Sequence, residues 1–122
     1  MAGRMVIAGF GCRAEATSES FRSALAATGM RPDALAVPAD RAGVITPFAE
    51  AEGLAVLRIA ADLLKGVDTP THSSISMAAR GVGSVAEAAA LAAAGPGARI
   101  TVARVISSDR MATCAVAQGP EE

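Results

Sequence analysis

An apolar run, Val6-Ile7-Ala8-Gly9-Phe10-Gly11, breaks on two glycines and soon meets Thr17-Ser18-Glu19, the signature of a helix start. A strand that stops on glycine and feeds a helix leaves backbone N–H groups facing open space, beside the positive end of the helix dipole. Such a place accepts an anion. Arg13, just past Cys12, adds a full charge and a planar fork of donors suited to carboxylate or phosphate. The same Gly9-Phe10-Gly11 pattern is also what a tight turn needs for its backbone angles alone. Both readings are open at this point.

Around this feature the chain reads as a β-α-β unit. Residues 4–9 form a buried strand, and residues 17–28 a helix with Phe21, Ala24 and Leu25 at helical spacing, stopped by Gly29. A second strand, Ala34–Val37, ends at Pro38, which makes the two strands parallel. Residues 40–46 read as a connector. Pro47 suits a first helical position, and Leu54, Leu57, Ala61 and Leu64 share one face of the helix it would open. Gly53 kinks or splits that helix, and Lys65-Gly66 ends it. Val67–Arg80 is polar and irregular, which predicts a functional loop, a mobile flap over a ligand rim. Ser84–Ala94 is an alanine-rich helix with a capping box formed by Ser84 and Glu87. Arg99–Ile106 and Met111–Ala117 are β-rich runs joined by a short link, an antiparallel hairpin, and residues 118–122 read as a frayed tail.

These elements predict one α/β domain over residues 1–122, a three-layer α/β/α arrangement with a mixed sheet. Its core is parallel and its C-terminal hairpin antiparallel. Ligands of such sheets gather at the carboxyl ends of the strands. The Gly9–Arg13 segment lies at one such end, and the Gly81–Ser84 turn, with Gly83, can share the rim.

Composition narrows the function. The chain has 122 residues, 52% of them apolar, enough to bury roughly two-thirds of its unfolded surface. With three Phe, no Trp, no Tyr and a net charge of −1, it offers neither stacking platforms nor a basic field for nucleic acid. Two cysteines and one histidine provide no zinc-type ligand set, and nothing points to a metal or another cofactor. The cysteines read as reduced thiols, and no stretch has the length of a membrane span or a signal peptide, so the expectation is a soluble, cytoplasmic protein. The glycine pattern is not the dinucleotide fingerprint: Ala14 stands where a third glycine belongs, and Val37-Pro38 where an acid belongs.

Single residues carry two readings each. Cys12, beside a helix start and Arg13, is either an activated nucleophile or a small residue in a crowded turn. His72 is the one side chain of its type, either a base or an inert loop residue. Thr71 and Ser73 beside it supply hydroxyls for ligand carboxylates. Ser84 and Glu87 are a helix cap that can also turn toward an anion.

Three blocks, in order, resemble one family. Gly9-Phe10-Gly11-Cys12-Arg13, the run Gly81-Val82-Gly83-Ser84-Val85-Ala86-Glu87-Ala88-Ala89-Ala90-Leu91, and the closing strand Ala112-Thr113-Cys114-Ala115-Val116-Ala117 look like the CobE / CbiG C-terminal domain family of cobalamin biosynthesis. Glu52-Gly53-Leu54 is similar to the family's Glu-x-Leu helix start, whereas Asp40-Arg41 stands where the family has an acid followed by lysine. The resemblance implies an anionic precorrin or corrinoid as ligand, held by Gly11, Cys12, Arg13 and Arg41, with other cobalamin-pathway enzymes as partners. It implies the oxygen-dependent branch of that pathway, where such a domain stands alone. Two activities fit: a carrier of a corrin intermediate, or a hydrolase or ring-modifying enzyme using Cys12 or His72, as in the two-domain relatives.

Overall fold

The computed structural model describes residues 5–120, apart from the side chains of Ile75 and Ala79. Five strands, β1 (Val6–Cys12), β2 (Ala34–Pro38), β3 (Val56–Ile59), β4 (Arg99–Ile106) and β5 (Ala112–Gln118), form one sheet in the order β3-β2-β1-β5-β4. β1, β2 and β3 run parallel, and β5 joins β1 antiparallel and carries β4 on its outer side. Helices α1 (Ser18–Thr28) and α2 (Ala42–Glu52) cover one face. Helices α3 (Ala61–Leu64) and α5 (Val85–Ala94) cover the other, with α4 (Ser74–Arg80) between them in sequence. The sheet is mixed and three-layered, as its hydrophobic pattern predicts.

The two faces of β1 differ in size. Phe10 points to one side, where it meets Phe21 of α1 edge-on at 5.6 Å and Phe48 of α2 at 6.3 Å, so all three aromatic residues share one core. Gly9 and Gly11, the alternate positions, point the other way, because successive strand residues face opposite sides. They are therefore part of the strand and not a turn, and β1 extends to Cys12 instead of ending at Gly9. A Cβ at Gly9 would lie 2.1 Å from the Ala86 carbonyl oxygen and 2.5 Å from the Ala90 nitrogen. Helix α5 rests directly on the strand backbone. Its own inward residues, Ala86, Ala89 and Ala90, are fully buried and small enough to permit this.

The middle of the chain departs from the sequence reading. α2 begins at Ala42, inside the expected connector, and Pro47 lies within it. The proline removes one helical bond, to the Gly43 carbonyl, which is exposed and left to water. Gly53 splits the long helix by adopting the left-handed conformation at φ 70°, with its N–H on the Glu50 carbonyl at 3.2 Å. Beyond it the chain forms β3, a short edge strand, and then one turn of helix. The expected loop 67–80 ends in α4, whose N-cap Ser73 accepts from the Ser76 N–H at 3.3 Å. At the chain end Gln118 belongs to β5 and the Gly119 N–H donates to Met5 at 3.0 Å, so the expected fraying does not begin there; residues 121–122 lie outside the described residues, as does residue 4 of the first expected strand.

Gly9→Ala should cost about 3 kcal/mol or more, because the new methyl meets backbone atoms that cannot move independently. Urea unfolding checks this. A loss below about 1 kcal/mol would mean that α5 can lift off the strand.

Candidate functional site

A cleft of about 450 Å³ opens where the carboxyl end of β1 meets the start of β5. That is the rim an open α/β sheet offers to ligands, and the volume falls within the roughly 300–1,000 Å³ of small-molecule sites. Gly11, Val85, Ile106, Met111 and Ala112 provide apolar wall. Around them stand five arginines, Arg13, Arg41, Arg80, Arg104 and Arg110, drawn from five separate segments. Among the described residues no carboxylate lines the cleft, although the chain as a whole has net charge −1. Asp40, on the 3₁₀ turn Ala39–Arg41, accepts two bonds from Arg80, and the Arg41 Nε donates to the Cys12 carbonyl at 3.2 Å. Among the described residues the guanidinium groups of Arg13, Arg104 and Arg110 have no acidic partner. The arrangement concentrates positive charge over an apolar floor.

Two of the arginines are placed by local backbone devices. β4 slips register against β5, so that Ala103 and Arg104 together stand opposite Ala115. This bulge re-aims the chain and takes the Arg104 N–H out of the ladder. Glu87 accepts that N–H at 2.8 Å. Arg110 sits at φ 62°, in the left-handed region that costs a non-glycine residue about 1–2 kcal/mol. The hairpin tip around it is over-determined. Asp109 accepts from Ser107 and Ser20 at 2.6 Å each and from the Met111 N–H at 3.1 Å, while the Ser108 N–H donates to Ser23 at 2.9 Å. The Ser107 and Ser20 hydroxyls hold the Asp109 carboxyl below its ordinary range. The hairpin is thereby tied to α1, and Arg110 and Met111 stay at the cleft.

Of the residues expected from sequence, Gly11, Cys12, Arg13, Arg41 and Ser73 line the cleft. Gly9, Gly83, Ser84 and Glu87 do not; they are buried beneath it and build it. Gly83 leaves room for the loop, since a Cβ there would meet the Thr71 carbonyl at 2.6 Å and the Thr69 hydroxyl at 2.9 Å. The Ser84 hydroxyl caps α5 by accepting from the Glu87 N–H at 3.3 Å. The reciprocal half of the box is replaced. Glu87, wholly buried, turns its carboxylate to the Thr71 N–H and hydroxyl, both at 2.8 Å, as well as to Arg104. Thr71 is thus committed to Glu87, and the Ser73 N–H is bonded to Gly83 at 2.7 Å, so this segment is pinned and not a free flap. His72 is exposed and is not among the cleft residues.

Helix α1 contributes no residue to the cleft, so the helix start that sequence paired with the glycines is not the one at the site. Val85, at the start of α5, is. Sequence reasoning missed Ser76, Arg80, Arg104 and Arg110. Arg80 carried a signal, a basic residue just before Gly81, as at a helix end. The bulge at Arg104 and the backbone at Arg110 have none.

The Cys12 thiol is raised above its ordinary value of 9.0, burial outweighing the opposing pull of Arg41 and Arg80. Cys114, buried in β5, is raised further by burial alone. At both positions burial disfavours the thiolate. Among the described residues no group of three or more His, Cys, Asp or Glu side chains could hold a metal ion, and no helix is long and apolar enough to cross a membrane. A smaller hollow of about 280 Å³ between α1 and α2 has Arg22 and Glu52 as its charged residues. Arg22 is already engaged by Glu19 and by the Phe48 ring, 5.8 Å away, so the described residues of this hollow offer no convergent polar set.

A family model described as cobalamin synthesis G C-terminus matches residues 6–117. The chain is similar to the solved structure of CobE, a protein from the cobalamin (vitamin B12) biosynthetic pathway, at 30% identity and TM-score 0.84 over 98% of this chain and 93% of that one. It is also similar to the cobalamin biosynthesis protein chiG from Agrobacterium tumefaciens str. C58, at 32% identity and TM-score 0.73 over 95% and 99%. No curated protein matches it.

Two consequences of the site are measurable. Glu87→Gln places an amide N–H₂ against backbone donors and should lose about 2 kcal/mol in urea unfolding, with faster exchange of the Thr71 amide. For Cys12, the thiolate is the charged form that burial disfavours and Arg41 favours. Its alkylation rate should therefore reach half-maximum above pH 9.0, and Arg41→Gln should move that midpoint further up. A midpoint below the ordinary value would make Cys12 an activated nucleophile.

Proposed function

The chain belongs to the cobalamin synthesis G C-terminus family, and on that premise we propose that it binds an anionic corrin precursor and hands it on between pathway enzymes. The observation that carries this reading is the ring of five arginines around an apolar floor, with no carboxylate lining the cleft among the described residues. A corrin precursor is a largely apolar macrocycle fringed with acetate and propionate carboxylates. Its face fits Val85, Ile106 and Met111, and its fringe fits the guanidinium forks of Arg13, Arg104 and Arg110. We assign the step to the oxygen-dependent branch on the family resemblance alone.

A carrier fits the site better than a ring-opening hydrolase does. Such a hydrolase needs a nucleophile and a base within hydrogen-bond reach. Burial holds the Cys12 thiol protonated, and His72 is not at the cleft. A carrier needs only affinity and release, which arginines at the rim provide, Arg13 and Arg110 exposed and the other three half-buried.

Absorbance titration with cobyrinic acid, a corrin whose side chains are free carboxylates, tests the reading against its methyl ester. The acid should bind and the ester should not. Arg13→Ala and Arg104→Ala should each weaken the acid about fivefold, an effect that shrinks with added salt. Equal affinity for acid and ester would remove the arginines from recognition. A mass change in a precorrin incubated with this protein alone would replace the carrier with an enzyme.

A further inference from the structure

We propose that Ser76 and Arg80 form a dedicated subsite for one ligand carboxylate, and that Asp40 occupies it from outside until the ligand arrives. The proposal rests on the cleft being the corrin site and adds to it a specific pair of contacts and an internal competitor. Ser76 and Arg80 lie one turn apart on α4, on the same face, and both line the cleft. The Ser76 hydroxyl oxygen is buried and has no hydrogen-bond partner among the described residues. Buried hydroxyls are nearly always satisfied, so an orphan on a residue that lines a cleft marks a place where a partner is supplied from elsewhere.

Arg80 shows what that partner is. Its Nη1 and Nη2 donate to the two Asp40 oxygens at 3.1 and 2.9 Å, the bidentate geometry with which a guanidinium takes any carboxylate. The two partners differ in exposure: the Arg80 side chain is 21% exposed and that of Asp40 is 65% exposed. Asp40 does not line the cleft; it reaches the fork from the rim. A pair with one partner this exposed is weak, because water competes for the carboxylate. A ligand carboxylate coming from the cleft side meets the same fork and can also accept from Ser76, which Asp40 leaves unpartnered. The incoming group therefore makes one bond more than the group it displaces. Asp40 then serves as a stand-in that keeps Arg80 in place and raises the threshold for ligands that carry no carboxylate at that position.

The experiment uses the whole chain and cobyrinic acid, with thermal unfolding recorded for every variant. Asp40→Asn should tighten the acid about threefold, because the competitor is lost while Arg80 remains. Arg80→Gln should weaken it at least about tenfold, through loss of a charge-assisted pair. Ser76→Ala should weaken it about threefold and yet raise the melting temperature by about 3 °C, since the free protein no longer buries an unsatisfied hydroxyl. A purely structural Asp40–Arg80 tie predicts the opposite pattern: Asp40→Asn lowers the melting temperature and does not tighten binding, and Ser76→Ala leaves affinity unchanged. Either of those results overturns the subsite while the corrin reading stands. If the wild-type chain does not bind cobyrinic acid, the corrin reading and the subsite fall together. Should Arg80→Gln fail to fold, Asp40→Asn and Ser76→Ala still decide, because both change few contacts.

Discussion

The contact of α5 with β1 is the constraint on which most of the molecule depends. Gly9 removes the Cβ that would collide with the α5 backbone, and the alanines of α5 remove the bulk on the other side. A helix that close to the sheet brings its first turn to the carboxyl end of β1, where Ser84 caps it and Val85 reaches the cleft. It also places Glu87 deep enough to bind both the 69–73 segment and the bulged strand β4. A larger residue on either side would shift all of these together, since cores of this density transmit displacement instead of absorbing it.

The opposite face of the same strand does different work. Phe10 anchors the aromatic group with Phe21 and Phe48, so α1 and α2 are held by large side chains. β1 thus pairs a face carrying Phe10 with one whose positions beyond Ile7 are glycines. The asymmetry separates duties: one layer supplies most of the large apolar volume, and the other, built on glycine and alanine, shapes the rim of the cleft.

Charge is distributed to match. Glu87 is a buried carboxylate that takes three hydrogen bonds and sits at the favourable end of a helix dipole, which is how an acid without a cation partner is tolerated inside. The arginines stand outside it: Arg104 is set by the β4 bulge, Arg110 by the Asp109-braced hairpin, and Arg41 and Arg80 by their hydrogen bonds to Cys12 and Asp40. Arg110 holds a left-handed conformation in which glycine would be free of strain.

Local pattern alone was enough for the outer features: the succession of β1, α1 and β2, the capped alanine helix and the C-terminal hairpin. Each rests on periodicity or on a cap that acts within a few residues. The middle was not legible, because Leu54, Leu57, Ala61 and Leu64 fall on a helical spacing although Gly53 ends α2 before them and Leu57 belongs to an edge strand. An edge strand this short has too few residues to show its own period. Gly9, Gly83 and Glu87 look like ligand residues in the sequence, and only packing reveals them as support, since the atoms they accommodate lie far away along the chain. The ring of arginines was decided by tertiary structure altogether. Register slips, a positive φ and the meeting of five distant segments have no local sequence signature, and the charge that defines the site exists only once the fold has gathered it.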